Sequence, residues 1–389
     1  MKYLLFGAGT QGTAIAHDLL RHAPDTADLM VVDRSREALD LLRTRLDDRR
    51  LRTACLDVSD TAAVAPHFRA ARVAISAVDY WHNAALAAGA VAGACHFLDL
   101  GGNNEVVERE FALDAEARAA GVSLVPDCGL APGLVGILGY WLVDGLDKAE
   151  NLKLRVGGLP VRPQPPMNYK IVFSVQGLIN ECIEPAVVIR NGRLGNVPPL
   201  SELETLVFPE PFGELEAFQT SGGTSTLPRT LLGRVPFLDY KTIRYKGHCA
   251  QFRLLHELGL TDHRPRPFRG GKVSPRQMLA AVMQEKLDLP GEDVVLLRAT
   301  AEGWDTDGQA LRHVVQIIDH HDGENGISAM MRMTGYPTAI IAWLLASGEI
   351  DAPGAREQER IVPGERMIEL LRQRGVAIEI SESHPGKPV

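Results

Sequence analysis

Lys2-Tyr3-Leu4-Leu5-Phe6 runs directly into Gly7-Ala8-Gly9-Thr10-Gln11-Gly12, and the reading of this stretch decides the fold. Thr13 to Leu20 reads as a helix, and Leu29-Met30-Val31-Val32 as a second strand closed by Asp33. A G-x-G-x-x-G between strand and helix, with an acidic residue about 20 positions on, is the setting of a dinucleotide site. Gly7 allows the tight turn, Gly9 lets backbone N–H groups approach a pyrophosphate, and Gly12 lets the helix lie against the strand. The pyrophosphate then rests on the positive end of the helix. Asp33 accepts hydrogen bonds from the adenosine ribose and repels a 2′-phosphate, which favours NAD over NADP. The guanidinium of Arg34 next door pulls the other way, because it can pair with that phosphate.

The alternation continues. Arg52 to Leu56, ending in Asp57, reads as a third strand, Arg72 to Ser76 as a fourth, His96 to Asp99 as a fifth and Val122 to Val125 as a sixth. Helical stretches lie between them, notably Asn83 to Val91 and Glu105 to Ala120. Six strands with intervening helices predict an α/β domain, a Rossmann-type doubly wound parallel sheet. Ligands bind outside the carboxyl ends of such strands, at Asp57-Val58, Ser76-Ala77, Gly101-Gly102 and Asp127-Cys128-Gly129. Asp57 and Val58 are expected near adenine, and Ser76, Ala77, Gly101 and Gly102 nearer the nicotinamide.

Composition agrees with an ordinary globular protein: 389 residues predict two domains, with 45% hydrophobic and 23% charged residues. A net charge of −8 argues against a nucleic-acid or anionic-membrane surface. Five cysteines without C-x-x-C spacing suit free thiols in a reducing compartment. With no signal-like N-terminus and no long apolar run, a cytoplasmic protein is expected.

After Pro132 the texture changes. Gly157-Gly158, Pro160, Pro163, Pro165 and Pro166 give residues 151–175 too much turn chemistry for another β-α unit. Val294 to Ala299 and Leu311 to Ile318 read as antiparallel strands. The second leads through Asp319-His320-His321-Asp322-Gly323-Glu324-Asn325-Gly326 into Ile327 to Met333, a hairpin by pattern, and a helix is expected from Tyr336-Pro337 through Ala346. The expectation is an α+β domain with a mainly antiparallel sheet. Asp319-His320-His321-Asp322 is read as a polar turn, and no metal site is expected.

Several strings resemble the saccharopine dehydrogenase superfamily: Asp99-Leu100-Gly101-Gly102, Pro126-Asp127-Cys128-Gly129-Leu130-Ala131-Pro132-Gly133, Val156 to Pro163, Ile189 to Gly192, Leu215 to Leu227 and Tyr240 to His248. The likeness is greatest to its lysine 6-dehydrogenase branch and spans nearly the whole chain. It implies NAD-dependent oxidative deamination of the ε-amine of L-lysine to the 6-semialdehyde, which cyclises to a piperideine carboxylate, with release of ammonia. It also implies a homodimer or dimer of dimers, and a C-terminal helix that returns to the Rossmann domain. The expected domains are therefore 1–129, with 337–389 packing back on it, and 130–336. Relatives that cleave saccharopine carry Asp where Ala131 stands and an Arg-containing segment near Ser221-Gly222-Gly223. The glycine pair here suits a smaller substrate. Glu181-Cys182 stands where lysine dehydrogenases tend to have an aromatic residue.

The chemistry needs a base, because an ammonium cannot push electrons into a developing imine, and a clamp for the substrate's far end. His248 is a candidate catalytic group, against the reading of a structural histidine. Tyr169 is a candidate donor or a packing tyrosine, and Asp127 orients the ammonium or cofactor amide or caps the next turn. Arg244 is a candidate for the α-carboxylate or a plain ion pair, and Thr220, Ser221 and Thr224 supply hydroxyls and N–H groups. Tyr80 is placed in a loop over the nicotinamide, and Asn83 is read as an N-cap. Two other readings stay open: a saccharopine-type or other opine reductase acting on a secondary amine, and a sensor that binds NAD without turnover.

Overall fold

A computed structural model describes residues 1–384. The chain divides into two units. The first takes in Met1–Trp141, Ser225–Leu227 and Met331–Val376; the second holds Leu142–Thr224, Pro228–Met330 and the chain from Ala377 on.

In the first unit, β1 (Lys2–Phe6), β2 (Asp28–Asp33), β3 (Leu51–Cys55), β4 (Val73–Ser76), β5 (His96–Asp99), β6 (Ser123–Val125) and the short β17 (Gly354–Ala355) form one sheet. Its order is β17-β6-β5-β4-β1-β2-β3, and every pairing is parallel. Leu4, Leu5 and Phe6 are fully buried, as expected of a strand covered on both faces. The core beneath holds Phe6, Val32, Phe68, Ala74, Leu86, Phe97 and Leu124. Strand order reverses between β1 and β4, so the chain leaves these neighbours in opposite directions and opens a crevice at their carboxyl ends. A seventh strand from residues 354–355 extends the six read from sequence. The expected helix Glu105 to Ala120 is two, Asn104–Phe111 and Asp114–Ala120.

The second unit is built on a nine-stranded sheet: β7 (Lys148–Pro160), β8 (Ala186–Arg190), β9 (Arg193–Val197), β10 (Glu204–Phe208), β11 (Gly213–Gln219), β12 (Phe237–Arg244), β15 (Asp293–Trp304), β16 (Ala310–His320) and β18 (Ile378–Ser383). The strands β13 (Arg266–Phe268) and β14 (Gly271–Val273) form a separate hairpin. Only β7 and β12 pair in parallel within the large sheet.

Two expectations need correction. Ile327 to Met333 is not the second arm of a hairpin: Asp322 and Ile327 make a single bridge, and a helix runs Ala329–Ser347 with Pro337 inside it. The helix starts early because Asp293, on β15, accepts hydrogen bonds from the N–H groups of Ala329 and Met330 at 2.8 and 2.9 Å. The cap is supplied from 36 residues away, so no local signal marks it. The tail also divides: residues 331–376 group with the first unit, whereas β18 pairs with β16 in the second. Residues 385–389 of the expected returning segment lie outside the described residues.

Candidate active site

At the switch point of the first unit, Gly7 adopts φ +103°, and a Cβ there would lie 2.6 Å from the Ala77 carbonyl oxygen. A Cβ on Gly12 would fall on the Gly7 carbonyl oxygen, so this glycine is fixed by helix-to-strand contact. A Cβ on Gly9 meets no atom within 4 Å. Gly9 caps the helix Thr10–His22 in extended backbone that any residue can adopt. Nothing in the protein itself therefore requires glycine at this position. The Asp33 carboxylate accepts from Ala8 N–H at 2.8 Å and Ser35 N–H at 2.7 Å, one on each oxygen, which fixes it beside the loop. Arg34 is exposed, Thr10 lies at the exposed mouth, and the buried Gln11 Oε1 has no hydrogen-bond partner among the described residues. A glycine cradle, a helix N-terminus, a fixed acid and an unpaired polar atom together fit a dinucleotide.

Asp57 is exposed and accepts from Ser59, while Val58 belongs to the core. Ser76 is buried and donates to Asn83 Oδ1 at 2.7 Å. Asn83 is therefore no N-cap; it is the first residue of its helix and receives the Ser76 hydroxyl. The Tyr80 ring lies against Gly102, 2.9 Å from where a Cβ would stand. Asp127 follows β6 in left-handed backbone, φ +62°, and its carboxyl receives the Ser225 hydroxyl. Burial first, then the Asp99 charge, raises Asp127 to about 8. A carboxyl titrating there holds its proton at neutral pH and can exchange it.

The second unit gathers another set. Arg244, 2% exposed, donates to Glu181 Oε1 at 2.7 Å and to the Ile243 carbonyl at 2.9 Å. Its guanidinium carbon stands 4.9 Å from the centre of the Tyr169 ring, and its Nε has no partner among the described residues. Burial lifts the Glu181 carboxyl to about 7, with Arg244 opposing the shift. His248 sits among Tyr169, Phe218 and Phe252 with ring centroids 5.2, 6.3 and 6.1 Å away. Its Nδ1 faces the Met167 carbonyl at 3.3 Å, and its Nε2 has no partner among the described residues. Burial, then Arg244, pushes His248 down to about 3. Protonating it at pH 7 would cost on the order of 5 kcal/mol, so His248 is a hydrogen-bonding neutral imidazole and a poor general base. The Tyr169 hydroxyl is pushed up by burial and stays protonated.

The Thr220 and Thr242 hydroxyls bond each other at 2.6 Å. Ser221 N–H donates to the Glu181 carbonyl at 2.9 Å, and Thr224 is buried nearby in sequence. Gly223 is small for an internal reason: a Cβ there would overlap the Tyr240 ring. Gly223 thus has a reason that does not involve a substrate, whereas a Cβ on Gly222 would meet no atom within 4 Å. The structure thus joins Arg244, Tyr169 and His248 in one cluster and leaves Asp127 and Tyr80 in the other unit. Glu181, which the sequence reading passed over as a functional group, is the partner of Arg244 from 63 residues away. Among the described residues, no group of three or more His, Cys, Asp or Glu is arranged to hold a metal. No helix among the described residues is long and apolar enough to cross a membrane.

A family model described as the saccharopine dehydrogenase C-terminal domain matches residues 129–376, and one described as the saccharopine dehydrogenase NADP binding domain matches residues 3–125. The first unit is accordingly a nicotinamide-dinucleotide domain. The mitochondrial alpha-aminoadipic semialdehyde synthase of Rattus norvegicus is 24% identical over 312 residues, 62% of this chain but 33% of its own. The chain thus spans about a third of the length of that relative. Carboxyaminopropylagmatine dehydrogenase of Synechocystis sp. is 23% identical and matches over 95% of both chains. The solved apo saccharopine dehydrogenase (L-Glu forming) of Saccharomyces cerevisiae shares the fold, with TM-score 0.79, 18% identity, and 98% and 99% of the two chains covered.

Proposed function

The chain belongs to the saccharopine dehydrogenase family of oxidoreductases, and from that premise we propose that it oxidises an amine of a free amino acid with NAD, the ε-amine of L-lysine being the first candidate. The observation that carries this reading is the buried Arg244–Glu181 pair with an unpartnered Nε. A guanidinium beside a carboxyl titrating near 7 matches the carboxylate and ammonium of an amino acid's α-carbon. Arg244 receives the carboxylate, Glu181 the ammonium, and the His248 Nε2 and Tyr169 hydroxyl supply further polar contacts. The Tyr169 ring braces the guanidinium from one side.

In the first unit, Gly7, Gly9 and Gly12 would cradle the pyrophosphate, and Asp33 would hold the adenosine ribose. When bound, the nicotinamide supplies a hydride acceptor. Asp127, with Ser225 on its second oxygen, is ionised only above about pH 8 and is then the group on this unit suited to accept a proton. The protein is proposed to act as a homo-oligomer in the cytoplasm.

Asp33 also sets the choice of dinucleotide. Asp33→Ser, which keeps Arg34, is expected to weaken NAD and to improve NADP relative to it by about tenfold or more, about 1.4 kcal/mol. Paired KM values for the two cofactors read this directly, and an unchanged ratio would remove Asp33 from that role.

A second reading is dehydrogenation of a secondary amine with a carboxylated arm. It is favoured by the full-length match to a carboxyaminopropylagmatine dehydrogenase and by the Gly223–Tyr240 contact, which removes one argument for a small substrate. The deciding experiment follows NADH absorbance with L-lysine, L-ornithine, saccharopine and D-lysine, with NADP in parallel. Turnover of L-lysine supports the first reading, and turnover of saccharopine alone supports the second. Silence across the panel with NAD still bound would count against both and favour a sensor.

A further inference from the structure

Asp99, at the carboxyl end of β5, is fully buried. Its Oδ1 accepts from the N–H groups of Gly101 at 2.6 Å and Asp127 at 3.0 Å, and its carbonyl accepts from Cys128 N–H at 2.8 Å. One side chain thus ties together the two loops on which the nicotinamide-side residues stand. Its Oδ2 meets no N–H or hydroxyl among the described residues. Facing it is the carboxyl of Glu110, on the helix Asn104–Phe111, 1% exposed, with neither oxygen meeting an N–H or hydroxyl among the described residues.

Two ionised carboxylates cannot face each other in a dry interior, because neither is solvated and they repel. A single proton between them removes the repulsion and pairs the atoms left over. Two backbone N–H bonds stabilise the charge on Asp99, so the proton belongs on Glu110. We infer that Glu110 is a neutral acid that donates its proton in a hydrogen bond to Asp99 Oδ2, and that this pair is a positioning device for Gly101 and Asp127 in the dinucleotide site.

The other charged or titratable groups around it are Arg109 on the same helix, Asp127 and Cys128 on the β6 loop, and Glu359. Arg109 favours ionisation of Glu110, whereas Asp99 and Asp127 oppose it, as does burial, which is the largest influence. Glu110 is thereby pushed up to about 11, in keeping with the geometry. The positioning role rests on the nicotinamide-dinucleotide reading of this unit; the shared proton does not.

The experiment compares the full chain with Glu110→Gln and Glu110→Leu. Gln keeps a donor to Asp99 and the same net charge as a neutral Glu110, whereas Leu keeps the bulk and removes the donor. Infrared spectra at pH 8 should show a protonated-carboxyl carbonyl band in the wild type that is missing in Glu110→Gln. The NADH Kd, from fluorescence titration, should stay within about twofold for Gln and weaken about tenfold for Leu, as for loss of a hydrogen bond to a charged group. Absence of the band would overturn the shared proton. Equal weakening by Gln and Leu, or none by either, would overturn the positioning role. Should Leu fail to fold, the band and the Gln affinity still decide. A wild type that shows the band but binds no NADH would refute the dinucleotide reading, and the positioning role with it, while the shared proton stands.

Discussion

Arg244→Ala is expected to raise KM for the amino-acid substrate by about 100-fold or more, the range for removing one partner of a buried charged pair. The NAD Kd should be unchanged, since Gly7, Gly9, Gly12 and Asp33 belong to the other unit. Arg244→Lys should fall between, because an ammonium keeps the charge but loses the planar fork and the flat contact with the Tyr169 ring. The loss separates from misfolding by its pattern: the thermal transition should fall, because Glu181 is left unpaired in the interior, while a saturable NAD titration with unchanged Kd shows a folded protein in which only the substrate term has moved. A KM that stays put would sink the proposed clamp. The same pair sets a pH dependence. A carboxyl raised to about 7 is neutral below that pH and cannot hold an ammonium. KM should therefore rise as pH falls through 7, and Glu181→Gln should flatten that rise while raising KM above pH 7.

Gly9→Ala is expected to weaken NAD binding on the order of 100-fold, about 2.7 kcal/mol, without destabilising the fold. The two halves of this expectation have separate origins. The free protein has no atom within 4 Å of a Cβ at Gly9, and its backbone there is one that alanine adopts without strain. The pyrophosphate, however, must approach this backbone closely enough to reach its N–H groups, and a methyl group stands in that approach. Gly7→Ala and Gly12→Ala are poor probes by comparison, because both collide with the protein's own carbonyl groups. Calorimetric titration with NAD alongside a melting curve checks both halves. Binding retained by Gly9→Ala would remove the pyrophosphate from the glycine loop.

Much of the first unit was legible because its signals are local. A strand buried on both faces is largely apolar along its length, which marks β1, β4 and β6, whereas the edge strand β3 has no buried residue and is placed by the turn that follows it. The start of the helix Ala329–Ser347 could not be placed from its own sequence, because its cap belongs to β15. Glu181 had no sequence signal as a functional group: its meaning depends on Arg244, 63 residues later and on another element. Glu110 was equally hidden, lying in Asn-Glu-Val-Val-Glu-Arg-Glu-Phe, a stretch whose other acids Glu105 and Glu108 are exposed. His248 was found as a residue, but its proton affinity depends on three aromatic rings and a guanidinium that only the fold assembles.

Asp18 lies in the helix Thr10–His22 with no exposure, and Arg374 binds both of its oxygens, at 2.6 and 2.9 Å. Burial raises this acid against the pull of Arg374, so without its partner it would be an uncompensated carboxyl in the interior. The edge strand β17 likewise arrives 229 residues after β6, which it pairs. The unit around the glycine loop therefore cannot close until residue 374 has left the exit tunnel. Chaperone demand during synthesis should fall on this waiting half, and a chain truncated before residue 354 should lose the nucleotide site together with the segment that closes its unit.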